Sequence, residues 1–458
     1  MSAASFPPSV FPSDLIFTFG RLEKKGFTVY LVGSAVGDLV RTGTLAETRR
    51  FDLFVSGGSV AQLESVLKSK GGDKTFFSPF NRTGSGISLE TKNNDGETVH
   101  KLFIRFIRDS LNDELRAREV RINAIALTTE GEIVDPFDGI QDIEDEVLRP
   151  IQDERDYFHQ RPLNIIKMAR NIAYHGYYPQ NSVLSAASRE ADRLLDMPAQ
   201  RWTGDFQRML MNRHPNMGLR FLHESGALTY VLPELEQLVG FHLTCEVHHK
   251  DIWEHTLTVV KQAKPTPALR WAALLHDLGK FWTRSVGPGK SVHFFRHENM
   301  SANIAIGILA RFGVDTRLSN RIIYLVANHS RITLYTNEWT ESAVRRLISD
   351  CGENLSDMLA MARADVTSKR DFKVQEIRRL TGYLEERISY VIEKDSKIPA
   401  LPKGIGNEIM KHFNLDAGRM IGALRDALEQ AVEDGRLERD LPVSEYMAWL
   451  EEELKRQS

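Results

Sequence analysis

The chain has 458 residues, 42% hydrophobic and 26% charged, values of an ordinary soluble globular protein that exclude disordered and fibrous classes and leave room for about two to four domains. Lys plus Arg number 59 against 62 Asp plus Glu, a formal net charge of −3, so any nucleic-acid surface is a local basic patch and a strongly basic DNA-coating protein is excluded. The two cysteines, Cys245 and Cys351, are too few for a disulfide framework or a four-cysteine zinc module and fit a reducing compartment. No basic stretch precedes an apolar core at the N-terminus and no apolar run of about 18 residues follows, so the expectation is a cytoplasmic protein without a membrane partner.

In the first third, segments 28–32, 51–55, 101–107, 122–127 and 132–134 are rich in β-branched and aromatic residues and predict short strands between Gly, Asn and Asp turns. Helical patterns at 11–25, 35–41 and 59–70 interleave with them, which predicts a mixed α/β domain ending near residue 150. From about Asp153 onward apolar residues recur at helical spacing, as in Leu163, Ile166, Met168, Ala169 and Ile172, and the remainder is expected to be all-helical. Breaks are expected at Arg149-Pro150, at 233–240 and at 397–406.

Eight of the 14 histidines lie between His242 and His329. Among them His276 and Asp277 stand side by side at the end of an apolar helix that Gly279 is expected to stop, where one imidazole and one carboxylate can serve the same ion. His255, His297, His329 and Asp365 sit on other predicted helices. Mixed imidazole and carboxylate ligands suit Mn, Fe, Ni, Co or Zn, which lower the pKa of bound water for attack on phosphorus, and Lys280 would neutralise a phosphoryl oxygen. A competing local reading takes 242–249, with Cys245 between His242 and His248-His249, as a small zinc site.

The order His…His-Asp…His…His…Asp resembles the HD phosphohydrolase superfamily. That resemblance implies one ion on His255, His276, Asp277 and Asp365, with His297 and His329 serving a second ion or the substrate phosphate; Asp277 and Lys280 would be the catalytic pair.

In the head, Leu31-Val-Gly33-Ser-Ala-Val-Gly-Asp38 reads as a strand, a glycine turn and a helix start, a place for a triphosphate. With Arg118 to Leu127, Val134 to Arg149, Phe221 to Leu235 and the tail 406–437, the chain resembles the bacterial-type tRNA nucleotidyltransferase and poly(A) polymerase family over nearly its full length, including members with an HD domain. The family's Gly-Gly-x-Val-Arg-Asp motif is here Gly33-Ser-Ala-Val-Gly-Asp38. Its Asp-x-Asp metal pair falls on Arg50-Phe-Asp52, its Arg-Arg-Asp on Ala117-Arg118-Glu119, and its base-reading Glu-Asp-Pro-Leu-Arg on Gln160-Arg-Pro-Leu-Asn164. An arginine in place of a metal carboxylate opposes two-ion catalysis. Gly33, Asp38, Asp52, Arg118 and Asn123 are therefore expected as a vestigial nucleotide set, with Mg required only if the head is active.

The fold expected is α+β: a mixed α/β nucleotidyltransferase-like head (1–150), a helical RNA-binding neck (151–238), an HD domain (239–396) and a helical tail (397–458). Arg201, Trp202 and Arg208 are candidate RNA contacts, the indole by stacking. The leading expectation is a metal-dependent HD phosphohydrolase or phosphodiesterase acting on RNA 3′ ends, which the resemblance implies are those of tRNA. The alternatives are a still-active CCA- or A-adding transferase and a non-enzymatic RNA-binding or nucleotide-sensing protein.

Overall fold

The computed structural model describes residues 5–68, 76–77, 81–83, 86–92, 97–107, 110–241, 251–288, 292–367, 371–397, 400–416 and 418–457. The chain divides into two compact units, Met1–Val231 and Leu232–Ser458. Among the described residues, no helix is long and apolar enough to cross a membrane.

The first unit is built on eight strands: β1 (Thr28–Val32), β2 (Arg50–Ser56), β3 (Phe76–Phe77), β4 (Asn81–Thr83), β5 (Gly86–Lys92), β6 (Thr98–Phe106), β7 (Ala126–Thr128) and β8 (Ile133–Val134). They run in the order β3-β5-β6-β2-β1-β7-β8, with β4 also on β5. Among the described pairings of this sheet, only that of β2 with β6 is parallel. Central β2 buries Phe51, Leu53, Phe54 and Val55 while Asp52 stays half-buried, and its register sets Asp52 opposite Val32 on β1. The end of β1, the turn at Gly33 and Asp52 thereby meet at one end of the central strands.

Two details depart from the sequence expectation. The predicted strand at 122–127 begins as a 3-10 turn, Arg121–Ala124, and only Ala126–Thr128 joins the sheet. Arg121 N–H donates to the Arg149 carbonyl (3.0 Å) and the Asn123 amide to Asn171 (3.0 Å), long-range bonds that outweigh local β-propensity. Strand β5 was not expected: Ile87, Leu89 and Thr91 alternate with more exposed neighbours, but only two of these three are strongly apolar.

Helices Asn164–His175, Gln200–Met211 and Pro215–Glu224 pack on one another within the same unit. On Gln200–Met211 the residues Trp202, Phe206, Met209 and Leu210 form one buried face. A short parallel pair, Val147–Leu148 with Tyr178–Pro179, interrupts the helices.

The second unit is helical: Ile252–Gln262, Pro267–Leu275, Lys280–Thr283, His297–Arg311, Thr316–Asn328, Glu341–Cys351, Leu355–Ala364 and the long Asp371–Lys397. The expectation of helices alone fails at an antiparallel hairpin, Arg284–Val286 with Val292–Phe294. Three further helices, Ile405–Phe413, Arg419–Glu433 and Val443–Gln457, gather Ile409, Leu424, Leu428, Val432, Tyr446 and Leu450 into a core of their own.

Candidate metal centre and candidate nucleotide pocket

In the second unit six residues predicted as ligands converge, although they come from five helices. His255 lies in the first turn of Ile252–Gln262, and His297 opens His297–Arg311. His276, His329 and Asp365 are the C-caps of Pro267–Leu275, Thr316–Asn328 and Leu355–Ala364. The negative ends of three helix dipoles thus face the same place and favour a cation.

His255 Nε2 stands 3.2 Å from His276 Nε2, 3.2 Å from Asp277 Oδ2 and 3.1 Å from Asp365 Oδ1. His276 Nε2 is 3.3 Å from Asp277 Oδ2 and 3.5 Å from Asp365 Oδ1. Donors about 2.0–2.2 Å from one shared ion, at angles near 90–110°, are roughly 2.8–3.6 Å apart. His255, His276 and Asp277 therefore have the mutual spacing of a coordination shell, and Asp365 stands within the same distance of the two imidazoles.

Tautomers agree with this. His276, His297 and His329 each place Nδ1 at 2.8–3.0 Å from the carbonyl three residues earlier, and His255 places Nδ1 at 2.5 Å from Thr367 Oγ1. Each ring can donate there and leave the Nε2 lone pair for the centre. Asp277 Oδ1 is buried without a hydrogen-bond partner and faces His297 Nε2 (3.5 Å) and His329 Nε2 (3.8 Å), a second cluster with metal-ligand spacing.

The charges follow the same geometry. Burial pulls the His276 pKa down, but Asp277 and Asp365 outweigh it and hold it up, at about 10, so an ion bound at Nε2 would displace a proton there. Burial alone would raise Asp277; His276 and Lys280 reverse that and hold it well below the carboxylate range. Burial, helped by the His276 charge, depresses His329 to about 4. Lys280 Nζ lies 2.6 Å from Asp277 Oδ2, so it faces an acid before it faces any phosphate.

Gly279 plays a part the sequence reading did not give it. Its φ is right-handed helical, so it is no left-handed helix stop. A Cβ there would fall 2.3 Å from the His297 carbonyl, and its N–H donates to Ser301 Oγ (2.8 Å). Glycine lets the His297 helix close on Asp277. Thr367 was also missed, because a lone threonine two residues past Asp365 carries no sequence signal. The zinc reading at 242–249 lies outside the described residues.

In the first unit a cavity of about 650 Å³ is lined by Gly33, Asp52, Arg118 and Asn123 among others. Gly33 has φ +81°, and a Cβ on it would stand 3.7 Å from both Arg118 Nη1 and Asp52 Oδ2. Arg118 lies over the Phe54 ring at 4.8 Å. Arg50 Nε contacts Asp52 Oδ1 at 3.1 Å. Residues missed by the sequence reading line the same cavity: Arg105, Arg170, Asn171, Tyr174 and His175. The last four lie on the helix Asn164–His175, and its buried Asn171 and His175 were the available signal, since polar residues on an apolar face need a reason.

Two candidates, Asp38 of the nucleotide set and Trp202 of the RNA contacts, depart from their expected places. Asp38 is engaged by the Tyr174 hydroxyl (2.7 Å) and Arg41 (2.9 Å) behind the glycine turn. Trp202 is 4% exposed, so its indole is part of the helix core and unavailable for stacking. Arg201 and Arg208 are exposed, and Arg208 reaches the cavity while paired with Asp205 (3.0 Å).

Residues 178–238 match the family described as a probable RNA and SrmB-binding site of polymerase A, and residues 252–366 match the HD domain. A multifunctional CCA protein of Actinobacillus pleuropneumoniae serotype 5b (strain L20) is 30% identical over 321 residues, 66% of this chain and 75% of that protein. The chain belongs to the CCA-adding tRNA nucleotidyltransferase family. Other family members include an A-adding tRNA nucleotidyltransferase of Deinococcus radiodurans, 29% identical over 70% of this chain and 75% of its own length. A multifunctional CCA protein of Azoarcus sp. (strain BH72), 32% identical, is matched over 48% of this chain and 54% of its own length. The fold is shared with the CCA-adding enzyme of Bacillus stearothermophilus solved with CTP, at a TM-score of 0.61 and 18% identity over 98% of both chains. These names speak of CCA and A addition, and so back the family's transferase chemistry, kept above as an alternative, better than phosphate hydrolysis.

Proposed function

We propose that the protein acts on the 3′ end of tRNA and that its head pocket adds nucleotides there. The observation that carries this reading is the meeting of Gly33, Asp52, Arg118 and Asn123 around one cavity, in a chain whose relatives are named for CCA or A addition. The four-part division of the sequence serves it: head to 150, RNA-binding neck to 238, HD domain to 396, tail to 458.

In the pocket, Arg118 would neutralise phosphate oxygens beside the open turn at Gly33. Asn123 is fixed for contact with the nucleotide by Asn171 and by His175 Nε2 (3.2 Å). The donor set fits one Mg²⁺ at Asp52 and not two, since Glu114 and Glu119 are engaged by Arg105 and by Arg170 and Lys167. Such an ion would supply charge neutralisation of the reacting phosphate. Arg50 must leave Asp52 first, and an incoming triphosphate offers its guanidinium a more highly charged partner.

A second reading is favoured by the four converging donors of the HD centre: hydrolysis of a phosphate ester, monoester or 2′,3′-cyclic diester. His255, His276, Asp277 and Asp365 would hold a divalent Mn, Ni, Co, Fe or Zn ion there, and its chemistry would be activation of water and polarisation of phosphate. Lys280 would turn from Asp277 to the phosphate.

One assay separates the readings. Purified protein is incubated with tRNA transcripts ending in CCA, in a trimmed 3′-OH or in a 2′,3′-cyclic phosphate, with CTP and ATP and either Mg²⁺ or a transition metal, and the ends are read by mass spectrometry. Added C or A residues, lost in Asp52→Ala, are expected. Loss of the terminal phosphate without addition would overturn the first reading and establish the second, and binding without turnover would leave only a nucleotide-sensing role.

A further inference from the structure

Beside the HD centre the chain exposes three aromatic rings, of which Phe281 also packs against the Phe241 ring with centroids at 5.2 Å. Phe295 is 71% exposed, Trp282 44% and Phe281 37%. Burial of such rings is normally favourable, so a cluster of them left in water marks a contact surface. His293 and Phe295 lie parallel, 12° apart with centroids at 5.2 Å, while Phe281 and Trp282 meet edge to face at 5.1 Å.

The hairpin joins the two pairs. Its register sets Arg284 opposite Phe294, so Trp282 and Phe295 flank the same end. That end is fastened to the centre at both sides. His297 Nδ1 is 3.0 Å from the Phe294 carbonyl, and Lys280, next to Phe281, holds Asp277.

Two cations complete the surface. Arg284 lies over the Phe241 ring at 5.6 Å, and exposed Arg296 separates Phe295 from His297; neither makes an ion pair among the described residues. Arg296 also has φ +57°, a left-handed backbone that a long side chain seldom takes. Flat exposed rings with unpaired guanidiniums are the chemistry that holds unstacked bases and their phosphates.

We propose that Phe281, Trp282, His293 and Phe295 form a stacking platform for the bases of a single-stranded RNA end, which they hold beside the HD centre. The proposal rests on the second reading above, in which that centre acts on a phosphate ester, and it names the substrate as an unpaired RNA end. A face made for another protein would be equally apolar but would have no use for bases.

The test uses the full chain and a fluorescein-labelled tetraribonucleotide ending ACCA, with a blunt RNA duplex as control. Anisotropy is expected to show binding of the single strand that weakens about tenfold or more in the double variant Trp282→Ala, Phe295→Ala. Unlabelled tetranucleotide is expected to quench tryptophan emission in the wild type and to lose the Trp282 share of that quench in Trp282→Phe. Equal affinity of the double variant, equal quench in Trp282→Phe, or tight binding of the duplex at this face would overturn the platform. Bound metal, measured on the same samples, is expected to be unchanged; a wild type that binds no ion would remove the hydrolase reading while the quench still decides the platform.

Discussion

Arg50 and Asp52 point to the same side of β2, because side chains two apart on a strand share a face, and Arg50 Nε stands 3.1 Å from Asp52 Oδ1. A cation thus occupies the carboxylate that an ion in the head would need. In the proposed reaction Arg50 must leave Asp52 before an ion can be held there.

Arg50→Asp should therefore raise Mg²⁺-dependent addition to a trimmed tRNA. Removing the cation and supplying a second carboxylate is expected to gain about tenfold or more in rate. Asp52→Ala should abolish addition in either background. Primer extension with CTP and ATP reads both; an unchanged rate in Arg50→Asp would mean that this ion pair does not limit the reaction.

At the HD centre, His276→Ala combined with Asp277→Ala removes two of four donors and should leave no more than a small fraction of the bound transition metal, measured by mass spectrometry of the metal. Wild-type protein should also unfold at higher temperature with saturating ion, by about 2.7 kcal/mol at an ion concentration a hundredfold above Kd. Unchanged metal content in the double variant would refute the ligand assignment.

The six converging residues were legible because each is a His or Asp that sits at or near a helix end that the apolar periodicity already marked, as His276 follows Ala272 to Leu275. What could not be read was the closeness of those ends, which depends on Gly279 meeting the His297 carbonyl across 18 residues. The head behaves differently. Gly33, Asp52 and Arg118 were visible as motif positions, while Arg170, Asn171 and His175 reach the cavity only through packing of a neck helix. Trp202 was misread because an indole beside an arginine looks the same in sequence on a core face as on an RNA-binding face.

That correction carries its own test. Trp202→Ala should cost stability, about 3–5 kcal/mol for a large buried ring, and weaken tRNA binding only as far as the fold is lost. Arg208→Ala should leave stability within about 0.5 kcal/mol and reduce the salt dependence of tRNA binding. Denaturation curves and tRNA titrations at two salt concentrations distinguish them; a stable Trp202→Ala with specifically weakened tRNA binding would return the indole to the RNA surface.

His175 gives the head a pH dependence of known sign. Burial, with Arg41 and Arg213 adding to it against Asp38, lowers its pKa from the usual 6.5 to about 4. The unfolded chain takes up this proton near pH 6.5 and the folded chain only near pH 4, so the unfolded state binds more protons between these values and stability rises with pH across them. The contribution is full above about pH 6.5 and falls by roughly 3 kcal/mol as the pH drops to 4. His175→Gln keeps an amide donor for Asn123 and cannot titrate. Denaturation of both proteins at several pH values should show the wild type losing stability relative to the glutamine variant on that interval. A flat difference would mean that His175 already takes a proton in the folded head, and that its bond to Asn123 is not the fixed element on which the nucleotide contact depends.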